Sequence, residues 1–356
     1  MKRILFIASL FGLLSLASCS DWTETEPIDV HYTTLEEKNS ELYEAYYQSL
    51  RDYRDSDHKI MIAKFDNKSS NAVSMADHLT ALPDSVDYVI LTNPAEATGQ
   101  TISEIAEIRE KKGVKTLIEA DYAVFESAYK EMIAAEEELA ATDSTYTAPG
   151  DSLGRFTAWL EEQMGSVLNI LSSGTYDGIN LIYNGKNPLS MQEDAQADLK
   201  ARQEAFFAQT MEYLAANGGM LFFEGMSKNL LVDEDVLGTA KYIIVPAESA
   251  VSTYEFTQTV AGSYATGNPT DKFVIGVTTQ SLTDPSNTDG TFSGTDEDGN
   301  ELTAIVGAGY WVAGTSTQFD KLGVCVSAAQ NDYYNVTKVY NNIRESIAIM
   351  NPSPLK

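Results

Sequence analysis

Short apolar runs recur along the chain, and polar segments with helical spacing separate them. Eight of these runs are rich in β-branched and aromatic residues and are bounded by polar or turn residues, as β-strands are. They lie at residues 59–65, 88–92, 114–118, 178–183, 220–223, 242–245, 273–277 and 324–326. Several are apolar at consecutive rather than alternate positions, which is typical of parallel strands covered on both faces. An all-antiparallel sheet is therefore disfavoured.

The segments between the runs have the periodicity of helices. Ile102, Ile105 and Ile108 fall on one helical face ahead of Gly113, and residues 194–216 mix apolar and charged positions in the same way. A strand followed by a helix, repeated eight times, predicts an α/β fold of the (β/α)8 TIM-barrel type. A doubly wound open sheet is the alternative, because the number of strands does not establish that the sheet closes.

Two connections are longer than the others. Residues 123–176 predict an acidic helix around 131–138, a polar loop and a second helix. Residues 281–302 are acidic and rich in turn residues, but a calcium-loop pattern fails at its first position, where Pro285 and Gly294 stand. We therefore expect a hairpin over the barrel rim rather than a metal site, and we predict no metal and no cofactor.

The N-terminus resembles a bacterial lipoprotein signal. A short cationic start precedes an apolar stretch, Ile4 to Ala17, which has the length of a secretory signal and is too short to span a membrane. The stretch ends Leu-Ala-Ser-Cys, which is similar to the lipobox. The resemblance implies that residues 1–18 are removed and that Cys19 is lipidated.

The residues that follow Cys19 are acidic and polar. Residues 20–27 look like the export tag of surface lipoproteins in the Bacteroides group, with a plain flexible tether as the alternative. We expect residues 19–45 to form a lipidated acidic tether and the start of a helix, and residues 46–356 to form the barrel. The protein would then be anchored in the outer membrane and exposed at the cell surface.

Composition narrows the possible ligands. The chain has 24 Lys and Arg against 52 Asp and Glu, a net charge of −28, and 43% of its residues are hydrophobic. The apolar content excludes disorder of the whole chain. The negative charge argues against a nucleic-acid-binding protein and against a protein that binds anionic lipid through a basic face. Cys325 is the second of only two cysteines. With Cys19 acylated, no intramolecular disulfide can form.

The fourth predicted strand carries a motif. Residues 176–184 read Tyr-Asp-Gly-Ile-Asn-Leu-Ile-Tyr-Asn, which resembles the signature D-G-x-D-x-D-x-E of glycoside hydrolase family 18. That family contains chitinases and endo-β-N-acetylglucosaminidases, and its (β/α)8 barrel has this strand fourth. Alternate residues of a strand face the same side, so the acidic positions line the lumen and the last one reaches the C-terminal rim. The resemblance implies that this Glu is the general acid and that the preceding Asp orients the substrate's N-acetyl group.

This chain departs from the signature at its functional positions. Asp177 and Gly178 keep the pattern, but Asn180, Ile182 and Asn184 replace Asp, Asp and Glu. An amide has no proton acidic enough for a leaving group, and Ile cannot orient an acetamide by hydrogen bonding. We therefore assign no catalytic residue and expect a barrel that no longer hydrolyses.

The C-terminal ends of the strands instead supply groups suited to sugars. Sugars are neutral and amphipathic, so their sites combine aromatic faces with amide and carboxylate partners. The predicted glycan-binding residues are Asp66, Asn67, Asn93, Tyr122, Tyr183, Asn184, Glu224, Glu248, Gln280, Asn331 and Tyr333. Tyr310 and Trp311, in an apolar helical stretch, are expected to pack in the core, with a sugar platform as the alternative.

These features predict a surface lipoprotein that binds a GlcNAc-containing glycan, of N-glycan or chito-oligosaccharide type, for uptake. A glycan, an outer-membrane transporter complex and a separate hydrolase would be its partners. One alternative is an active hydrolase in which Glu224, Glu248 or Glu119 takes the acid role. Another is a purely structural component of an outer-membrane glycan-uptake complex.

Overall fold

The computed structural model describes residues 34–352, except for residues 69, 71, 285, 296–298 and 300. The predicted signal segment, Cys19 and the acidic residues that follow it lie outside the described residues. The chain divides into two units after Ala45, and residues 46–356 form the larger one. Helix α1 spans Leu35–Lys38, and helix α2 spans Ser40–Asp55. No helix in the described part of the chain is long and apolar enough to cross a membrane.

Eight parallel strands form a closed barrel, in the order β1-β10-β7-β6-β5-β4-β3-β2. They are β1 Ile60–Phe65, β2 Tyr88–Leu91, β3 Lys115–Asp121, β4 Gly178–Tyr183, β5 Met220–Gly225, β6 Tyr242–Pro246, β7 Phe273–Thr278 and β10 Lys321–Ser327. β1 pairs with β2 on one side and with β10 on the other, which closes the sheet. The (β/α)8 prediction is confirmed, and the open doubly wound sheet is excluded.

Helices surround the barrel. They are α3 Gly99–Lys112, α4 Tyr122–Thr142, α5 Leu153–Leu171, α6 Glu193–Asn217, α7 Asp233–Thr239, α8 Thr253–Ala261, α9 Ala304–Ala313 and α10 Asn341–Met350. The side chain of Thr98 accepts a hydrogen bond from the Thr101 backbone at the start of α3, and Gly113 ends this helix with a φ of 76°. Such a left-handed residue suits glycine, which is why the predicted stop falls there.

Both long connections contain secondary structure among their described residues. The first contains α4 and α5, and the second contains an antiparallel hairpin of β8 Thr291–Thr295 and β9 Glu301–Thr303. Phe292 of the hairpin stacks on Phe256 of α8 at 5.5 Å, and the Ser293 backbone donates to the Val251 carbonyl at 2.8 Å. These contacts hold the hairpin against the loop that follows β6. Within the described residues, no cluster of three His, Cys, Asp or Glu side chains is placed to hold a metal ion.

The strands bury one face against the helices and the other in the barrel lumen. Met61, Ala63 and Phe65 of β1 pack in the outer core, whereas Ile60 and Ile62 pack in the lumen. The other lumen residues are Tyr88, Ile90, Leu117, Phe222, Ile244, Val274 and Cys325. This two-residue period carries on toward the C-terminal ends, so the next inward positions determine what the barrel presents at its rim.

Candidate functional site

A layer of polar side chains lies directly above the apolar lumen. It consists of Lys64 on β1, Glu119 on β3, Asn180 on β4 and Glu224 on β5, which we call the lumen cluster. Lys64 Nζ lies 2.7 Å from Glu119 Oε2 and 3.1 and 3.0 Å from the two carboxylate oxygens of Glu224. Asn180 Nδ2 donates a hydrogen bond of 2.7 Å to Glu224 Oε2. One ammonium group thus bridges two carboxyl groups.

Burial sets the electrostatics of this cluster. It disfavours the charged form of Lys64, but the two facing carboxyl groups outweigh it and hold the pKa of Lys64 above its ordinary value. For Glu119, burial together with the charge of Glu224 outweighs the attraction of Lys64 and raises the pKa to about 7. Glu119 therefore titrates near neutral pH, while Lys64 stays charged.

The two signature residues that the chain keeps are structural. Asp177 lies just before β4, where its Oδ2 accepts hydrogen bonds from Arg109 Nη2 and from the Thr116 backbone, both at 2.9 Å. Gly178 packs so closely on β5 that a Cβ atom would lie 2.2 Å from the Met220 carbonyl oxygen. Both residues join β4 to its neighbours at the end of the barrel away from the rim.

The three signature residues that the chain has replaced face the lumen and the rim. Asn180 is fully buried and bonded to Glu224. Ile182 is 4% exposed and lies in register between Asp121 of β3 and Glu224 of β5. Asn184 is exposed just past the strand. At the three replaced positions, β4 and its C-terminal end therefore carry two amide side chains and one aliphatic side chain.

The predicted residues after β1 and β2 come together at the rim. Asp66 Oδ1 accepts a hydrogen bond of 2.7 Å from Asn93 Nδ2, and the Asp66 backbone donates to Gln330 Oε1 at 3.3 Å. Asn67 is buried, and its amide clamps the Asn93 backbone through bonds of 2.7 and 3.0 Å. Asp66 and Asn93 can meet a ligand, but Asn67 shapes the loop, contrary to the expectation that it binds sugar.

Two predicted tyrosines lie on the other side of the sheet. Tyr183 is 1% exposed and Tyr122 is 7% exposed, and their rings pack together at a centroid distance of 5.1 Å beside Phe206 and Phe207. Tyr183 follows the inward-facing Ile182, so the strand period turns it toward the helices. The structure thus packs both rings in the outer core, at an open pocket that Asn184 also lines, and their role in glycan binding stays a prediction.

The remaining candidates are spread along the rim. Glu248 is exposed after β6, and Gln280 is exposed after β7. Asn331 Nδ2 donates to Thr279 Oγ1 at 3.2 Å. Tyr333 is half-buried and packs its ring against Tyr340 at 5.6 Å. Glu224, by contrast, lies inside the barrel within the lumen cluster.

A sequence model of a known family matches most of the chain. The model described as "Glycoside hydrolase family 18, BT1044-like" matches residues 23–349. The chain belongs to glycoside hydrolase family 18. A search of curated protein sequences finds no significant match.

Solved structures show the same family 18 fold at low sequence identity. A glutamate-to-glutamine variant of BT1044 is 16% identical with a TM-score of 0.60, over 90% of this chain and 96% of that one. The endo-β-N-acetylglucosaminidase of Cordyceps militaris is 15% identical with a TM-score of 0.54, over 86% and 96%. A group IV chitinase of Ostrinia furnacalis is 11% identical with a TM-score of 0.51, over 82% and 99%.

The apolar pattern of the first strand concealed one charged lumen residue, Lys64. Lys64 lies within the run predicted as the first strand, between Ala63 and Phe65. The two-residue period that puts Ile60 and Ile62 in the lumen also puts Lys64 there. A single cation at an inward position of a barrel strand was therefore the available signal for the lumen cluster.

Proposed function

We propose that this protein binds a GlcNAc-containing glycan, of N-glycan or chito-oligosaccharide type, and does not hydrolyse it. The observation that carries the proposal is the state of β4, where Asn180, Ile182 and Asn184 stand at the three functional positions of the family 18 signature. None of these side chains can give a proton to a glycosidic oxygen. The fold and the polar rim support binding without the family's chemistry.

The carboxyl group that contacts Asn180 already has bonding partners of its own. Both carboxylate oxygens of Glu224 lie within 3.1 Å of Lys64 Nζ, and Asn180 holds one of them as well. A general acid has to reach the leaving oxygen of the substrate with a proton to give. Glu224 instead faces a permanent cation one layer below the rim, which supports a structural role for this carboxyl group.

We further propose that acylation of Cys19 anchors the protein at the outer-membrane surface. There it would pass captured glycan to a transporter complex and to a separate hydrolase. The lipobox-like residues that end at Cys19 and the acidic segment 20–27 support this placement. Labelling with a radioactive fatty acid, which Cys19→Ala should abolish, tests the anchor. Protease accessibility on intact cells tests the exposure.

Calorimetry with the mature protein tests the binding proposal. Titration with a panel of N-glycans and chito-oligosaccharides should show saturable binding of at least one member. Overnight incubation with the same glycans should release no sugar, as judged by mass spectrometry. Absence of binding to every member of the panel would overturn the proposal, and co-purification with transporter proteins would then favour a structural component.

A hydrolase is the second candidate, because one carboxyl group in the lumen has the pKa of a general acid. Burial raises the pKa of Glu119 to about 7, so this group still carries a proton near neutral pH. Its contact with Lys64 and its position below the rim argue against that role. Deglycosylation of an N-glycosylated protein that is lost in Glu119→Gln or Glu224→Gln would favour the hydrolase.

A further inference from the structure

An open pocket of about 240 Å³ lies at the C-terminal ends of β7 and β10. Its walls come from the segment after β7, the β8–β9 hairpin and the loop after β10. We call it the amide pocket, after three of its lining residues, Gln280, Asn331 and Asn342. Three largely apolar side chains, Leu282, Tyr334 and Val336, also line the pocket.

The amide pocket offers no free charge. Neither Lys nor Arg is among the described residues that line it, and Asp332 is the single carboxyl group. Asp332 is 4% exposed, and its two oxygens accept hydrogen bonds of 2.9 Å from Asn342 Nδ2 and from the Ile343 backbone. This carboxylate therefore holds the wall together. A chain with a net charge of −28 thus keeps a pocket that suits a neutral ligand.

The pocket contains both the polar and the apolar groups that sugar-binding sites use. Gln280 is exposed, and Asn331 uses its amide nitrogen on Thr279, so its oxygen can face a ligand. Leu282, Tyr334 and Val336 are 56%, 53% and 101% exposed. Amides bond hydroxyl groups, while apolar side chains cover the C–H face of a pyranose ring. Ligand sites commonly combine apolar walls with a few placed polar groups.

The pocket wall is fixed in place by the hairpin. Gly290 has a φ of 79°, and a Cβ atom there would lie 2.7 Å from the Gln280 backbone nitrogen. The Gly290 carbonyl also accepts a hydrogen bond of 2.9 Å from the Ala304 backbone at the start of α9. The start of the hairpin therefore packs directly on the backbone that carries Gln280. A wall formed in advance lowers the entropy cost of binding a ligand.

We propose that the amide pocket holds one neutral pyranose unit of the bound glycan and discriminates against sugars that carry a carboxylate. A carboxylate in this pocket would meet Asp332 and find no cation to offset its lost hydration. This inference rests on the proposed glycan-binding function and assigns one sugar unit of that ligand to a defined place on the rim.

Substitutions in the pocket test the assignment with the glycan that binds most tightly. Gln280→Ala and Tyr334→Ala should each weaken binding about threefold to tenfold, the range expected for one lost hydrogen bond or ring contact. Tyr334→Phe keeps the ring and should bind like wild type. Gln318→Ala, an exposed glutamine between α9 and β10, is the matched control and should also bind like wild type.

A second measurement separates failure of the pocket from failure of the proposed function. Side-chain amide NMR signals of Gln280 and Asn331 should shift on titration with millimolar GlcNAc or mannose and stay unchanged with glucuronic acid. If wild type binds glycans but Gln280→Ala and Tyr334→Ala bind equally well, the pocket assignment is wrong and the glycan-binding function stands. Equal shifts with the acidic sugar would overturn the selectivity. If no glycan and no monosaccharide binds, both proposals fail.

Discussion

Asn180 Nδ2 donates a hydrogen bond of 2.7 Å to Glu224 Oε2 between two adjacent strands of the barrel lumen. Asn180 stands at the first of the three positions where the family 18 signature has an acidic residue and this chain has none. A carboxylate at this position would face the carboxylate of Glu224 at hydrogen-bond distance. The amide at position 180 therefore gives the buried carboxylate of Glu224 a neutral donor in addition to its two contacts with Lys64.

Restoring the signature residue at this position should destabilise the protein. Asn180→Asp replaces a donor with a second carboxyl group, so two carboxylates repel each other unless one takes up a proton. We expect a loss of about 2–3 kcal/mol in the free energy of unfolding at pH 7. The loss should shrink toward pH 5, where protonation relieves the repulsion. Urea unfolding at the two pH values measures both effects.

Asn184→Asp is the matched control for this substitution. Asn184 is exposed just past the same strand, so a charge there stays hydrated. We expect a change within about 0.5 kcal/mol. If Asn180→Asp and Asn184→Asp lose equal free energy of unfolding, the hydrogen bond between Asn180 and Glu224 does not contribute to stability as we predict.

Lys64→Met should lower the free energy of unfolding more than Asn180→Asp does. Lys64→Met keeps a chain of similar length but leaves Glu119 and Glu224 without their cation. Breaking a buried ion pair from one side typically costs about 3–5 kcal/mol, because the remaining charge is uncompensated. The same Lys-to-Met change at Lys68, which is 56% exposed and 2.9 Å from Asp77, should cost less than about 1 kcal/mol. Thermal unfolding of the Lys64→Met and Lys68→Met variants tests this prediction. Similar midpoint temperatures for the two would contradict it.

The barrel could be predicted from the sequence because its strands are buried on both faces. Each of the eight strands overlaps a predicted apolar run, and the hairpin β8–β9 falls in the predicted segment 281–302. Short apolar runs that are rich in β-branched residues and bounded by turn residues favour buried strands over helices. The apolar pattern does not predict that the barrel closes, because closure depends on pairing between the first and last strands.

The candidate site was harder to predict because it depends on which way each side chain points. Tyr183 and Asn184 are neighbours in sequence, yet Tyr183 packs against Phe207 in the outer core while Asn184 is exposed. The end of a strand alone does not show which residues face the lumen; the two-residue period does. The same period assigns Lys64 to the lumen. The amide pocket joins β7, β10 and the hairpin, which come together only in the fold.

The stability of the protein should fall with pH near neutrality because of Glu119. The pKa of Glu119 rises from 4.5 to about 7 in the folded protein. Between these values the folded state holds a proton that the unfolded chain releases, so this contribution is complete below pH 4.5 and is lost as the pH rises through 7. Glu119→Gln is neutral throughout. Its stability relative to wild type should rise by about 3 kcal/mol over this range.

Urea unfolding of wild type and variant at half-unit pH steps measures this difference. Glu137→Gln, on the exposed surface of α4, is the surface control. We expect its stability relative to wild type to vary by no more than about 0.5 kcal/mol over the same pH range. A flat difference for Glu119→Gln would mean that this carboxyl group titrates alike in the folded and unfolded states.

The retained glycine of the signature should be intolerant of a single methyl group. In Gly178→Ala the new Cβ would lie 2.2 Å from the Met220 carbonyl oxygen and 2.9 Å from the Met220 Cβ, so β4 and β5 would have to separate. We expect a loss of about 3 kcal/mol or more, since a packed sheet cannot yield by that distance. In Gly154→Ala, in the first turn of α5, the new Cβ meets nothing within 4 Å and should stabilise the protein by about 0.5–1 kcal/mol. Calorimetric unfolding compares the two, and a Gly178→Ala protein as stable as wild type would show that this glycine is not kept for packing.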